Sequence, residues 1–214
     1  MKRKKSLKDE NSSHLTAVIA GLSIIFIYLI NKEIFGNFGE LFSLTKLVPS
    51  VSAAVVISAV ARILNGLIPA EIKATIVFWR IKNPLPGSRA FSKFIFSDAR
   101  INPEYWSKLV PPETSPEQQN REWYKIYTSV RENIAVKDVH KHFLLCRDIS
   151  SICILFAIFT TSTAFYMQDS RTAATCLILY LFVSFTTAIA AQQYGKRLVT
   201  TALAMASVSA KLQK

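Results

Sequence analysis

Four long apolar runs dominate this chain of 214 residues, and they constrain what it can fold into. A helix rises about 1.5 Å per residue and the hydrocarbon core of a bilayer is roughly 30 Å thick, so about 20 mostly apolar residues are enough to cross it. Each run comes close to that length. The runs cover residues 15–30, 47–68, 149–167 and 172–191. We therefore predict an all-α integral membrane protein with four transmembrane helices.

The basic residues are distributed unevenly around these runs. Segments 1–14, 70–147 and 195–214 together carry 22 Lys and Arg, whereas 32–46 and 168–171 carry three. Because Lys and Arg are retained on the cytoplasmic side of a bacterial inner membrane, we predict a multi-pass inner-membrane protein with both termini cytoplasmic. Anionic lipid headgroups then account for the net charge of +12. The basic residues of the middle segment are scattered among acids, so we expect no nucleic-acid binding.

These predictions divide the chain into five parts. They are a basic cytoplasmic N-terminus (1–14), transmembrane helices 1 and 2 (15–69), a cytoplasmic and interfacial helical segment (70–147), a transmembrane hairpin of helices 3 and 4 (148–194) and a cytoplasmic C-terminal helix (195–214). The basic start also fits a signal peptide. However, the first apolar run is longer than a signal's apolar region and no small-x-small cleavage site follows it, so we expect an uncleaved span.

Helix 2 carries a row of small residues that ends in a charge. Ser50, Ala54, Ser58 and Arg62 are spaced four apart and therefore lie on one face. Small residues in such a row allow two helices to approach closely, whereas an ionised residue in an apolar run normally faces protein or water. We predict that the row contacts another helix or lines a lumen. For Arg62, both snorkelling to the headgroups and pairing inside the bundle stay open.

Helices 3 and 4 are joined by a short connection at 168–171, so they form an antiparallel hairpin. Their middles are rich in Ser and Thr. These hydroxyl groups can bond their own helix, pack against another helix or line a hydrated pore. The sequence leaves this choice open.

The segment between helices 2 and 3 contains clear helix-start signals. Asn102-Pro103 predicts an N-cap and a short helix through Leu109. A capping box at 115–118 predicts a second helix that runs to about Asn133. The helix after it, 136–146, has no Gly or Pro before the third apolar run. We therefore expect it to pass unbroken from the cytosol into the membrane.

The capping-box helix has one apolar, aromatic face that needs cover. The face consists of Trp123, Tyr127, Val130 and Ile134. Inside the chain, the helix at 136–146 is the expected cover. The same face is our candidate docking surface for a cytosolic protein.

No motif in the sequence predicts a reaction. Phosphate loops, nucleophile elbows and zinc-protease patterns are missing from it. His140 and His142 would point about 200° apart on a helix, so they cannot both bind one metal ion. The odd number of cysteines, Cys146, Cys153 and Cys176, argues against a disulfide framework. We predict a non-enzymatic protein without catalytic residues, cofactor or metal.

The layout of the whole chain, four spans with a compact cytosolic insertion and no catalytic motif, resembles the membrane subunits of bacterial anti-phage defence systems, such as that of the Kiwa system. The resemblance implies a homo-oligomer that senses membrane disturbance or phage attack and works with a cytosolic partner protein. We therefore expect an oligomeric membrane sensor or effector in antiviral defence, one form of which would be a pore. The alternative is a membrane anchor or scaffold that recruits a soluble cytosolic protein.

Overall fold

The computed structural model describes residues 6–30, 44–167 and 169–212, and every regular element in these ranges is helical. The predicted all-α class is therefore confirmed for the described part of the chain. The α-helices are α1 (Leu7–Ile30), α2 (Leu44–Leu67), α3 (Ala70–Phe78), α4 (Pro103–Leu109), α5 (Pro116–Val130), α6 (Ile134–Tyr166) and α7 (Ser170–Leu212). Two short 3-10 turns, Pro86–Arg89 and Phe94–Phe96, lie between α3 and α4.

Three helices, α1, α6 and α7, are long and apolar enough to cross a bilayer. α2 meets the same criterion when it is combined with α3, from which it is separated by a bend of 95°. The described part of the chain therefore has three candidate spans, or four if this bent pair is one span. These apolar helices indicate a membrane protein, and the fourth crossing stays a prediction.

α1 and α2 lie side by side in opposite directions. Ala54 of α2 packs with Ile27 of α1 near one end of the pair. At the other end, the Arg62 guanidinium of α2 donates to the hydroxyl groups of Ser12 and Thr16, each over 2.9 Å. α2 therefore returns along most of α1 and ends beside the start of α1.

α6 and α7 form the central hairpin, which is fastened by buried hydroxyl groups. Ser150 Oγ donates to the Ser184 carbonyl over 3.1 Å, and Ser184 Oγ donates to the Ser150 carbonyl over 3.0 Å. The buried Tyr180 hydroxyl of α7 donates to the Leu22 carbonyl of α1 over 2.8 Å. Around these bonds lies the span core, which consists of Ile19, Leu22, Phe26, Ala61, Ile149, Ile152, Cys153, Phe156, Ala157, Cys176 and Tyr180.

α6 has 33 residues and α7 has 43. At about 1.5 Å per residue they are roughly 50 and 65 Å long, well beyond the ~30 Å of hydrocarbon. Their remaining length packs into a second cluster, here called the α5 core, together with α3, α4, α5 and the 3-10 turns. The prediction of an unbroken helix into the third apolar run is confirmed, and α7 likewise continues the fourth run without a break to Leu212.

The predicted helix starts are confirmed by their caps. Asn102 accepts hydrogen bonds from the backbone of Glu104 and Tyr105 at the start of α4, and Ser115 accepts from the backbone of Gln118 at the start of α5. The predicted end of α5 at about Asn133 is wrong. The helix ends at Val130, because the Asn133 side chain caps the next helix by accepting from the Ala135 backbone over 3.0 Å.

Candidate functional site

A buried ionic cluster lies where α3 crosses α6. Lys73 Nζ of α3 lies 3.3 Å from Asp148 Oδ1 of α6, and Arg147 donates to the same oxygen from Nε over 3.0 Å and from Nη2 over 2.9 Å. The side chains of Lys73, Arg147 and Asp148 are only 6%, 8% and 13% exposed. We call these three residues the Asp148 cluster.

The bend after α2 explains how Lys73 reaches this position. It turns α3 across α6 and α7, so that Ala74 and Val77 become fully buried in the α5 core. Lys73 lies on the same side of α3 and is carried inward with them. Its neighbour Ile72 is exposed instead. Sequence reasoning did not single out Lys73 or Asp148, because its periodicity arguments cannot pair residues 75 positions apart.

Burial makes the Asp148 cluster energetically demanding. Charged groups lose their hydration when they are buried, which costs free energy. Their mutual attraction offsets this desolvation cost only when the ion-pair geometry is good. One carboxylate here faces two cations, and the Arg147 guanidinium also lies 5.8 Å from the ring centroid of Phe143. The ion pairs of this cluster tie α3 to α6 at the boundary between the two cores by electrostatics as well as by packing.

A cavity of about 160 Å³ borders the Asp148 cluster. It lies between the start of α1, the end of α2, α3 and the middle of α6. Its polar lining consists of Asn11, Ser12, Arg62, Asn65, Lys73 and Asp148. Asn11 and Asn65 are 4% and 5% exposed, and the Oδ1 atom of each is buried without a hydrogen-bond partner. The rest of the lining is Leu15, Gly66, Leu144 and Leu145.

The predicted row on helix 2 faces α1. Ala54 and Ser58 are buried, and the Ser58 hydroxyl donates to the Ala54 carbonyl over 2.6 Å. Arg62 is exposed but reaches across to the two α1 hydroxyls described above. The side chain of Ser50 lies outside the described residues. Three of the four residues of the row thus lie along the contact between α1 and α2, and Arg62 also lines the cavity described above.

The hydroxyl groups of the hairpin are mostly bound by their own helices. Thr160 and Thr163 donate to the Phe156 and Phe159 carbonyls of α6. Thr186 and Thr187 donate to the Val183 carbonyl of α7. Gln192 donates to the Val77 carbonyl of α3 over 2.7 Å and so belongs to the contact between α3 and α7.

The candidate docking face on α5 is largely covered by the chain itself. Trp123 and Val130 are buried, Tyr127 is partly buried, and Ile134 is exposed at the start of α6. The cover comes chiefly from the turn Pro86–Arg89 and from α7, rather than from residues 136–146 as expected. A Cβ at Gly87 would lie 2.7 Å from the Trp123 ring, so the close approach of this turn requires glycine.

A polar pair links α6 to α5. The Tyr127 hydroxyl and His140 Nδ1 lie 2.8 Å apart and share a hydrogen bond. His140 belongs to the part of α6 that packs in the α5 core, outside the predicted span. Burial, assisted by the positive charge of Arg147, lowers the pKa of His140 from 6.5 to about 4. This histidine is therefore neutral at pH 7.

Metal-ligating side chains and cysteines also occur across the described ranges. No three His, Cys, Asp or Glu side chains there are placed to hold a metal ion. Cys146, Cys153 and Cys176 are free thiols. The Asp148 cluster and the adjoining cavity combine buried charges with buried amide oxygens that have no partner among the described residues, and they are our candidate functional site.

No family model, curated protein or solved structure matches the chain.

Proposed function

We propose that the protein is a non-enzymatic membrane sensor that couples the state of the bilayer to the arrangement of its α5 core. The observation that carries this proposal is the continuity of α6. One unbroken helix contributes Val136, Val139 and Phe143 to the α5 core and Ile152, Cys153 and Phe156 to the span core. A tilt of its membrane half therefore displaces residues in the other core directly.

The Asp148 cluster lies at the point of α6 where the helix passes from one core to the other. Arg147 and Asp148 occupy the position on α6 between the two cores, and Lys73 links them to the element that follows the bend of α2. Packed interfaces of this kind respond to small shifts by moving between discrete arrangements rather than by deforming continuously. The ionic contact between α3 and α6 would be the contact that changes.

Other parts of the expected function remain proposals. They comprise a cytoplasmic location of both termini in a bacterial inner membrane, a homo-oligomeric state, a soluble partner and a role in anti-phage defence. A pore would have to form between copies, since the hydroxyl groups of Thr160, Thr163, Thr186 and Thr187 are bound to carbonyl groups inside one chain. Purified protein in liposomes separates the two effector types: a pore releases an entrapped dye, whereas a sensor without a pore leaves the liposomes tight.

The coupling can be measured by hydrogen–deuterium exchange of the protein in bilayers of two thicknesses. Changing the thickness alters the tilt of membrane helices. We expect the exchange of backbone amides in α5 to differ between thin and thick bilayers, although α5 itself does not belong to a candidate span. Equal α5 exchange in both bilayers would overturn the proposal.

Two proline substitutions in the same helix provide the matched control. Leu145→Pro removes one backbone hydrogen bond of α6 and breaks or kinks the helix just before the Asp148 cluster. Ile134→Pro lies at the first position of α6, after the extended residue Asn133, where proline is tolerated. We expect the thickness response of α5 to persist in Ile134→Pro and to disappear in Leu145→Pro while membrane insertion is retained.

A further inference from the structure

We propose that the cavity beside the Asp148 cluster binds the headgroup of an anionic glycerophospholipid whose headgroup carries hydroxyl groups, as in phosphatidylglycerol. This proposal names a ligand for the site of the proposed sensor. It rests only on the membrane location of the protein, so the lipid site can be present or absent independently of the sensing role.

The charges around the cavity favour a phosphate group. Arg62, Lys73 and Asp148 line it, and Arg147 donates to the Asp148 carboxylate. These three cations and the Asp148 carboxylate carry a net charge of +2. Arg62 uses two of its five N–H donors on Ser12 and Thr16, which leaves three donors for a phosphate oxygen. An anion beside Arg62 and Lys73 would offset the excess positive charge.

The two asparagine side chains favour a hydrogen-bond donor next to that phosphate. Asn11 Oδ1 and Asn65 Oδ1 are buried acceptors without a partner, although such groups are normally satisfied. The orientation of the Asn11 amide is fixed, because its Nδ2 donates to the Lys141 carbonyl over 2.7 Å. A phosphate accepts hydrogen bonds but a phosphodiester cannot donate them. The hydroxyl groups of a glycerol headgroup would donate to both amide oxygens.

The size and the position of the cavity agree with this ligand. A cavity on the order of 150 Å³ accepts a benzene-sized molecule, and a glycerol unit has as many non-hydrogen atoms as benzene. Arg62 and Gly66, which are exposed, lie at the mouth of the cavity near the end of α2. Asn11 and Ser12 lie near the start of α1. The ends of apolar helices are where phospholipid headgroups are found, and basic pockets between helices there bind anionic headgroups.

The experiment is native mass spectrometry of the purified full-length protein, released from detergent after incubation with one lipid at a time. The lipids are phosphatidylglycerol, phosphatidic acid, phosphatidylethanolamine and phosphatidylcholine, and soluble glycerophosphate is tested in parallel. We expect the highest occupancy with phosphatidylglycerol and the lowest with phosphatidylcholine. Equal occupancy for all four lipids would overturn the proposal, and binding of glycerophosphate as strong as that of the lipid would overturn the lipid as its source.

Three variants test the individual contacts. Arg62→Gln should lower phosphatidylglycerol binding by about fivefold or more, the effect of one basic residue on an anionic lipid. Asn65→Leu should remove the preference for phosphatidylglycerol over phosphatidic acid, because only the former has headgroup hydroxyls. Lys82→Gln removes an exposed cation that does not line the cavity and should leave binding unchanged. Wild-type affinity in Arg62→Gln, or equal losses in Arg62→Gln and Lys82→Gln, would contradict a site at this cavity.

This test does not depend on bilayer sensing. If phosphatidylglycerol binds as expected while hydrogen–deuterium exchange in α5 is the same in thin and thick bilayers, the lipid site stands and the sensor proposal falls. If α5 responds to thickness but Arg62→Gln leaves lipid binding intact, the sensor proposal stands and the lipid site falls.

Discussion

The Asp148 carboxylate pairs with two buried cations, Lys73 and Arg147. Substitution of Asp148 therefore tests the cluster most directly. Asp148→Asn keeps the size of the side chain but leaves Lys73 and Arg147 without a negative charge in that place. Removing one partner of a buried ion pair costs about 3 kcal/mol or more. We expect a clear decrease in the melting temperature of the detergent-solubilised protein. Melting can be followed by circular dichroism.

Asp138→Asn is the matched control for this prediction. Asp138 lies on the same helix, but its side chain is mostly exposed and only its contact with His142, over 3.6 Å, would be lost. Exposed ion pairs contribute little to stability, so the melting temperature should change little. A similar decrease in the melting temperature of both variants would mean that the Asp148 cluster contributes no more to stability than an exposed carboxylate does.

His140 provides a prediction about pH. Its pKa is lowered to about 4 in the folded protein, compared with 6.5 in the unfolded chain. Between these values the unfolded chain binds the proton more readily, so the stability contributed by neutral His140 is complete above pH 6.5 and is lost as the pH falls toward 4. We expect the melting temperature to decrease over this range and His140→Gln to flatten the decrease. An identical pH profile in His140→Gln would contradict this assignment.

Among the helices, α7 is positioned by a glycine. A Cβ at Gly195 would lie 2.7 Å from Phe78 Cζ of α3 and 3.2 Å from the Phe143 ring of α6. Gly195→Ala should therefore destabilise the protein by about 1–3 kcal/mol, the usual cost of overpacking a core. Gly21 of α1 is also a mid-helix glycine, but nothing lies within 4 Å of its added Cβ. Thermal melts should show a loss for Gly195→Ala and none for Gly21→Ala.

The helices themselves were largely predictable from the sequence, since each depends on signals within a few residues. Asn102 and Ser115 mark helix starts by side-chain bonds two or three positions ahead, and the run without Gly or Pro predicted the length of α6. The candidate site was predicted only at Arg62. Its other members meet through the bend at 68–69, and the contact of Lys73 with Asp148 spans 75 positions, beyond the reach of any periodicity. The 3-10 turn that covers Trp123 was missed for the same reason.

At the scale of the whole molecule, both described chain ends lie at the same end of the helix bundle. Glu10 near the start of α1 pairs with Lys137 of α6 over 2.9 Å, and Trp106 of α4 donates to Ser207 near the end of α7 over 3.1 Å. Ile134 and Tyr166 are exposed at opposite ends of α6, roughly 50 Å apart by helix rise. The predicted orientation places Ile134 in the cytoplasm and Tyr166 outside.

Cysteine labelling in intact cells tests this orientation. In a variant with Cys146, Cys153 and Cys176 replaced by Ala, single cysteines are introduced at Ile134 or Tyr166 and exposed to a membrane-impermeant maleimide. We expect Tyr166→Cys to react in intact cells and Ile134→Cys to react only after lysis. The reverse pattern would invert the proposed topology, and labelling of both positions in intact cells would argue that α6 does not cross the membrane.

Because α6 and α7 contribute to both cores, the α5 core cannot be separated from the span core as a fragment of the chain. The α5 core takes Ala191, Leu198, Val199, Ala202 and Leu203 from the C-terminal half of α7, far along the chain from α5 itself. A fragment limited to residues 70–147 would lack these α7 residues and would expose the side chains that they cover. The segment between α2 and the membrane half of α6 is thus not an excisable domain. Its fold is completed only after α7 has been made, so the α5 core cannot form before residues 191–203 are available to pack against it.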